Sequence, residues 1–232
     1  GGVKNKPVFN EFGIDILKCS GCGHVFSSYQ ANQHYDGYFG DNAGAEELQF
    51  MFGDAHQAIY GDFCDKFIYG RSGKLLDAGC GLGYFVKKIS DIPQWQAYGC
   101  EISKSAVNFA GEKLGLKNIY CGKLEDSGYK EKFFDVVTLW DVIEHLPEPD
   151  SVLSFISKIL KDDGILFIHT PNIKVQLPKA RVKKLLKGMK EGVHYLESKD
   201  HINHYSRGTI SKVLKRNNFK NIQFIHLKPI QS

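Results

Sequence analysis

A chain of 232 residues, 42% of them hydrophobic and 24% charged, can bury one sizeable α/β core with a small appendage, and is too short for a second domain of similar size. Its net charge of +4 is too small to argue for nucleic acid as a partner, and no apolar run approaches the ~18 residues of a membrane-crossing helix. Nothing at the start resembles a secretory leader, and six cysteines without a dense pairing pattern fit a reducing compartment, so a cytoplasmic protein is expected. The chain opens on Gly-Gly rather than Met, which reads as a trimmed or later start.

Taken in chain order, residues 1–40 are rich in Gly, Asn, aromatic residues and Cys and read as an appendage. Within it, "KCSGCGHVF" sets Cys19 and Cys22 in a C-x-x-C-G knuckle, a geometry suited to two thiolate ligands of tetrahedral zinc. A closed site needs further ligands; His24, His34 and Cys64 are poorly spaced for that, and a reduced, unligated knuckle is the alternative. Residues 41–232 read as the main domain, with 43–70 largely helical. From Lys74 onward apolar runs alternate with helical patterns. Strands are expected near 74–78, 96–101, 118–122, 133–140, 164–170 and 221–227, and helices near 83–90, 104–115, 151–160 and 208–217. That rhythm specifies a Rossmann-like, doubly wound, mostly parallel sheet with helices on both faces.

Residues 171–207 are too long for an ordinary strand-to-helix connection of about 2–6 residues and read as a lid-like, helical insertion after the fifth strand. From Lys174 to Lys190 there are seven basic residues and no acidic one, with Val182, Leu185, Leu186 and Met189 at helical steps. This basic amphipathic helix has three readings: a lid over an acceptor bearing phosphate or carboxylate, a surface touching anionic lipid, or a solvated helix packed by its apolar side. Gly188 and Gly192 could hinge it or end it.

The densest chemical signal is "LLDAGCGLGYFVKK", residues 75–88. Gly79, Gly81 and Gly83 follow an apolar strand and precede a helix, leaving backbone N–H groups exposed to a ligand at a helix N-terminus. Glu101 ends the next strand, where a carboxylate can accept both ribose hydroxyls. The spacing is G-x-G-x-G, with Tyr84 where a dinucleotide site would have its third glycine, and Asp77 stands two residues upstream. Here the sequence resembles the class I S-adenosylmethionine-dependent methyltransferases, in particular the ubiquinone-pathway O-methyltransferases, over about residues 56–227. The resemblance is carried by "LLDAGCGLGYF", "GCEIS", "CGKLEDSGY" and "FDVVTLWDVIEHLPEP". It implies that Gly79, Gly81 and Gly83 line the methionine part of the cofactor, with Asp77 organising the turn and Glu101 on the ribose. It further implies Ile102 against adenine, the backbone near Leu124 at the adenine edge, and Trp140 and Asp141 beside the sulfonium. Lys123 departs from the family, which commonly has Asp there.

Methyl transfer from a sulfonium is an in-line displacement, so the protein mainly aligns donor and acceptor and excludes water. An oxygen acceptor must also lose a proton, to a base or with help from a metal. "DVIEHL" places Asp141, Glu144 and His145 on one helical face, and the resemblance implies a role for the matching positions in metal-dependent catalysis. His145 is equally readable as base or orienter, and all three as local packing. "DHINHYS" offers His201 and His204 before a helix capped by Ser206 or Thr209, and "HTPN" offers His169 and Asn172 at a strand end. Asp141, His145 and His204 are thus the catalytic candidates, and Cys19 and Cys22 the metal candidates.

The function expected is S-adenosylmethionine-dependent methylation of a small molecule, O-methylation favoured, with an anionic or lipid-linked acceptor and peripheral membrane contact left open. A quinone-precursor phenol and a nucleotide- or lipid-linked sugar are the leading acceptors. The alternatives are an NAD-dependent oxidoreductase on the same strand, turn and helix, and a cofactor-binding module without catalysis. The family's usual last antiparallel strand has no room after "NIQFIHLKPIQS", so a truncated end or dependence on a partner is also expected.

Overall fold

The structure is a computed structural model that describes residues 4–29 and 54–229. The described residues fall into two compact units, neither of them one contiguous stretch.

The larger unit comprises residues 35–140, 154–167 and 223–232. It contains α1 (Gln57–Phe67), β4 (Gly73–Ala78), α2 (Tyr84–Ser90), β5 (Trp95–Glu101), α3 (Lys104–Leu114), β6 (Ile119–Cys121) and β7 (Phe134–Trp140), with the main parts of α4 (Pro149–Ile159) and β8 (Leu160–His169). Five strands lie in the order β6-β5-β4-β7-β8. The β4 ladders with β5 and β7 are parallel, as is that of β5 with β6, so the first strand of this sheet in chain order lies at its centre and the order reverses there. This is the Rossmann-like doubly wound sheet that the alternation specifies. Burial explains the apolar runs: Leu75 and Leu76 in β4 and Val137 and Leu139 in β7 are fully buried, as strands covered on both faces must be. An aromatic core fills one side, where Trp140 is surrounded by Tyr60, Phe63, Phe85 and Phe167 at ring separations of 4.7–5.5 Å.

The smaller unit comprises residues 1–34, 141–153 and 168–222. Its sheet has the order β1-β2-β3-β9, from β1 (Asn5–Glu11), β2 (Ile14–Cys19), β3 (Val25–Ser27) and β9 (Asn203–His204), and it also holds α5 (Ile173–Lys187) and α6 (Arg207–Arg216). The β1–β2 hairpin turns through Phe12 and Gly13, both at positive φ, in a tight connection. A core of Phe9, Ile16, Val25, Ile173, Ala180, Tyr195 and Leu196 joins this sheet to α5. Buried Glu11 accepts the backbone N–H groups of Leu196 at 3.2 Å and Ser198 at 2.8 Å, fixing the loop that leads into β9. Ser206 caps α6 in a reciprocal capping box with Thr209.

One sequence expectation needs correction, and among the readings left open for the insertion helix one falls away. Residues 221–227 do not form a strand: beyond the bend at Asn221 the backbone is irregular, with Phe224 and Ile225 exposed. Apolar content alone cannot make a strand, because a strand needs a neighbour's row of N–H and C=O groups. The insertion helix α5 is present, but Val182, Leu185 and Leu186 face solvent and do not pack inward. Its buried face is Ile173 and Ala180, with Leu177 partly buried between them. Of the expected helix at 43–70, residues 43–53 lie outside the described residues, and α1 accounts for the rest.

Candidate active site

The glycine turn belongs to the larger unit. β4 delivers its carboxyl end into Gly79, Gly81 and Gly83, all at positive φ (77°, 52° and 84°), a conformation that other residues rarely hold. The Gly79 and Cys80 amides donate to the Cys100 carbonyl at 2.7 and 3.1 Å, tying the turn to the end of β5. Gly83 is constrained twice, because a Cβ there would also fall 2.8 Å from Leu116 Cδ1 and 3.1 Å from Ala110 Cβ. The third glycine therefore allows close packing of α2 against its neighbours.

Glu101 is the organiser of this edge. One carboxylate oxygen accepts the Gly81 N–H at 2.9 Å and the other accepts the Ser103 N–H at 2.9 Å, so a single side chain joins the turn to the start of α3. An ionised carboxylate has about four acceptor positions, and two of them are used here. Asp77 is buried and accepts the Thr138 hydroxyl at 2.7 Å. Burial, with the Glu101 charge adding to it against the Thr138 bond, pushes Asp77 up to about 7. The role of Thr138 was not apparent from the sequence; its signal is a hydroxyl at an otherwise apolar position of β7, beside Asp77 in register.

Around this turn, Ile102 is an exposed apolar residue beside Glu101, and Leu124 is buried at the start of a short 3-10 turn, Leu124–Asp126. Lys123 immediately precedes that turn. Trp140 ends β7 with its ring in the aromatic core.

The acid and histidine candidates belong to the smaller unit. Asp141 stands at φ 50°, with its N–H donating to the His169 carbonyl at 3.0 Å and its carboxylate 2.8 Å from His169 Nδ1. Burial lowers the His169 pKa, but the Asp141 bond and charge outweigh it and leave the imidazole raised. The 3-10 turn Ile143–His145 then places Glu144 inward, 1% exposed, with no hydrogen-bond partner on either carboxylate oxygen. Burial, reinforced by the Asp141 charge and only partly offset by its own amide and the neighbouring Thr170 hydroxyl, pushes Glu144 up to about 8. His145 Nδ1 lies 2.9 Å from the Asp200 carbonyl. Since a carbonyl only accepts, Nδ1 carries the proton and Nε2 is the basic nitrogen. Burial first, and then the neighbouring His201, lower His145, so it is neutral at physiological pH.

Glu144, His145 and His201 come together: one ligand atom from each lies within 4.8 Å of the others. The His145 and His201 rings stand edge to face at 4.8 Å. His204 lies one step away, 6.3 Å from His201 between ring centres, in the β9 ladder opposite Val25. Its Nε2 is buried without a partner, and burial pushes it down to about 3. Asn172 is the N-cap of α5, accepting the Lys174 N–H at 3.0 Å.

Cys19 and Cys22 occupy the knuckle between β2 and β3. The Cys22 N–H points at Cys19 Sγ at 3.4 Å, and bonds from the Cys22 amide, its side chain and the Gly21 amide lower the Cys19 pKa. Among the described residues no third ligand gathers around them. His24 is engaged with Asn203 at 2.9 Å and packed against Tyr205, Cys64 is buried in the larger unit's core, and His34 lies outside the described residues.

Comparison with known proteins fits this architecture. Residues 52–224 match the family model described as methyltransferase domain, and the chain belongs to that family. A ubiquinone biosynthesis O-methyltransferase of Neisseria meningitidis is 28% identical over 119 residues, covering 49% of this chain and 47% of that protein. The chain spans about half the length of the curated relatives it matches. Among solved structures, an S-adenosylmethionine-dependent methyltransferase from Thermotoga maritima aligns with TM-score 0.56 at 17% identity over 76% of each chain. The plantazolicin methyltransferase in complex with S-adenosylhomocysteine aligns with TM-score 0.54 at 17% identity, over 74% of this chain and 65% of that one. The fold is thus that of the S-adenosylmethionine-dependent methyltransferases.

Proposed function

We propose that this protein transfers the methyl group of S-adenosylmethionine to an oxygen of a small-molecule acceptor. The observation that carries the reading is Glu101, which spans from the Gly81 amide to the Ser103 amide and keeps acceptor positions for two ribose hydroxyls. Gly79, Gly81 and Gly83 would receive the methionine portion, with Asp77 bracing the turn through Thr138. Ile102 would lie against adenine, the backbone at Leu124 would meet its edge, and Trp140 would back the sulfonium end. As the methyl moves, the sulfonium charge disappears, so alignment and exclusion of water supply most of the acceleration.

The acceptor hydroxyl must give up its proton, and His145 is placed to receive it, since the Asp200 carbonyl holds the proton on Nδ1 and leaves Nε2 as the basic nitrogen. Asp141 would hold His169 in position, and neutral His204 would offer a polar contact to the acceptor. In a second arrangement, with His145 Nε2 a ligand in place of a base, Glu144, His145 and His201 are a fitting donor set for a divalent ion, because a buried carboxylate with so little compensation is otherwise costly. Such an ion, when bound, would lower the pKa of the acceptor hydroxyl. At the knuckle, the amide-supported Cys19 with Cys22 is half of a zinc site.

The similarity to ubiquinone biosynthesis O-methyltransferases favours a phenolic quinone precursor as acceptor, with a nucleotide- or lipid-linked sugar second. Six free cysteines support a reducing, cytoplasmic setting. We take residues 41–232 as the methyltransferase domain and 1–40 as its appendage. The test is calorimetric titration with S-adenosylmethionine, S-adenosylhomocysteine and NAD. Binding of the first two and not the third is expected; binding of NAD alone would replace the reading with an oxidoreductase.

A further inference from the structure

The α5 helix carries two apolar faces, and only one has a partner. The inner face, Ile173, Leu177 and Ala180, packs on the smaller unit's core, with Lys184 following at the next helical step. That face is pinned by Arg181 to the Val8 carbonyl at 3.0 Å, by Lys184 to the Asn10 carbonyl at 3.1 Å and by Lys183 to the His194 carbonyl at 2.9 Å. Half a turn away stands an outward ridge: Val175 is 48% exposed, Val182 55%, Leu185 84% and Leu186 76%. At 3.6 residues per turn these four project on one side of the helix, and the exposed cations bordering them apart from the pinned side chains are Lys174 along one edge and Lys179 along the other. No acidic residue interrupts the run from Lys174 to Lys190.

We propose that α5 is a membrane-docking helix that lies in the headgroup region of an anionic bilayer. An apolar ridge bordered on both sides by long cationic side chains is the arrangement an interfacial helix needs: leucines enter the acyl boundary while lysines reach the anionic headgroups. Charge decides against other occupants. A second copy of this chain would set one all-positive face against another, and nucleic acid would engage the lysines while leaving the leucine ridge in water. No helix of the described residues is long and apolar enough to cross a membrane, so the contact is peripheral. The inner pins hold the helix on the protein while the ridge engages lipid, so docking requires no unfolding of α5.

The test is co-sedimentation of the full chain with vesicles of phosphatidylcholine alone and of phosphatidylcholine with about one-third phosphatidylglycerol, at low and high salt. Binding is expected only to the anionic vesicles and is expected to weaken with salt. Leu185→Ser with Leu186→Ser should reduce it by about tenfold or more, and Lys174→Glu with Lys179→Glu should do so too. S-adenosylmethionine affinity and thermal midpoint, measured on the same samples, should stay at the parent values, which separates lost docking from lost folding. Failure to bind anionic vesicles, or equal binding by parent and the Leu185→Ser/Leu186→Ser variant, would overturn the proposal. A concentration-dependent dimer in light scattering, abolished by that variant and indifferent to vesicles, would assign the ridge to self-association. Retention of a duplex oligonucleotide equally by parent and variant, without vesicle binding, would assign the charge to nucleic acid.

Discussion

The carboxylates at the glycine turn and Glu144 in the smaller unit are buried on opposite terms. At the glycine turn each is satisfied: Asp77 by the Thr138 hydroxyl, Glu101 by two amides. In the smaller unit Glu144 is as deeply buried and has no partner on either oxygen, while Glu11, also buried there, has two. A satisfied network is rigid before any ligand arrives and binds by preorganisation. An unsatisfied one carries a desolvation cost that a proton or a cation can relieve. The contrast teaches that the cofactor edge is built complete, whereas the acid and histidine group is built to be completed.

The largest expected effect comes from removing the organiser of the first region. Glu101→Ala leaves the Gly81 and Ser103 amides without an acceptor and should weaken S-adenosylmethionine binding by ~1–3 kcal/mol in calorimetry. Unchanged affinity would erase the ribose assignment and with it the distinction drawn between the regions. Gly83→Ala adds a Cβ at φ 84° and 2.8 Å from Leu116 Cδ1, and should cost ~1–3 kcal/mol in urea unfolding. A loss well below that would mean that the turn is less rigid than its bonds suggest.

Glu144→Gln probes the other region through pH. The native pKa is about 8 against an ordinary 4.5, so between those values the unfolded state is ionised while the native state keeps its proton. Stability contributed by the protonated native acid is complete below the unfolded value and is lost as pH rises toward the native one. Parent stability should therefore fall relative to Glu144→Gln from about pH 5 to about pH 8 in denaturant titrations, and an added divalent ion should restore the parent alone. Parallel curves, with and without metal, would show that Glu144 needs no completion. The smallest effect is reserved for a solvated pair. Asp150 bonds the Arg216 guanidinium and Asn217, and Asp150→Asn should cost under ~1 kcal/mol because exposed ion pairs are screened.

What could be read in the sequence follows the range of the interactions. The strand, glycine turn and helix at residues 73–90 lie within one short segment, so their chemistry was readable there, as was the acid one strand later. The small sheet was not readable, because β9 is two residues long and pairs Val25 with His204 across most of the chain. His145 and His201 could each be singled out, but their meeting depends on that same distant closure. The apolar stripe of α5 was readable, but whether it faced the core or the outside stayed open for another reason. Periodicity finds an apolar stripe but does not say which of two stripes the core takes, and here Ile173, Leu177 and Ala180 took it. The strand expected at 221–227 had the composition of a strand, yet the segment enters no ladder: Leu227 packs on the aromatic core and the Lys228 N–H bonds Asp62.

Among the described residues the chain passes between its two compact units at 140/141, 153/154, 167/168 and 222/223. This braiding bears on genetic dissection. A clone starting at residue 41 would encode the whole parallel sheet, yet would omit β1, β2 and β3, which supply the ladder under His204 and the Glu11 carboxylate that fixes the loop before it. Deleting the leading segment is therefore a lesion in the histidine region, and swapping it between relatives would exchange part of that region's support along with the knuckle.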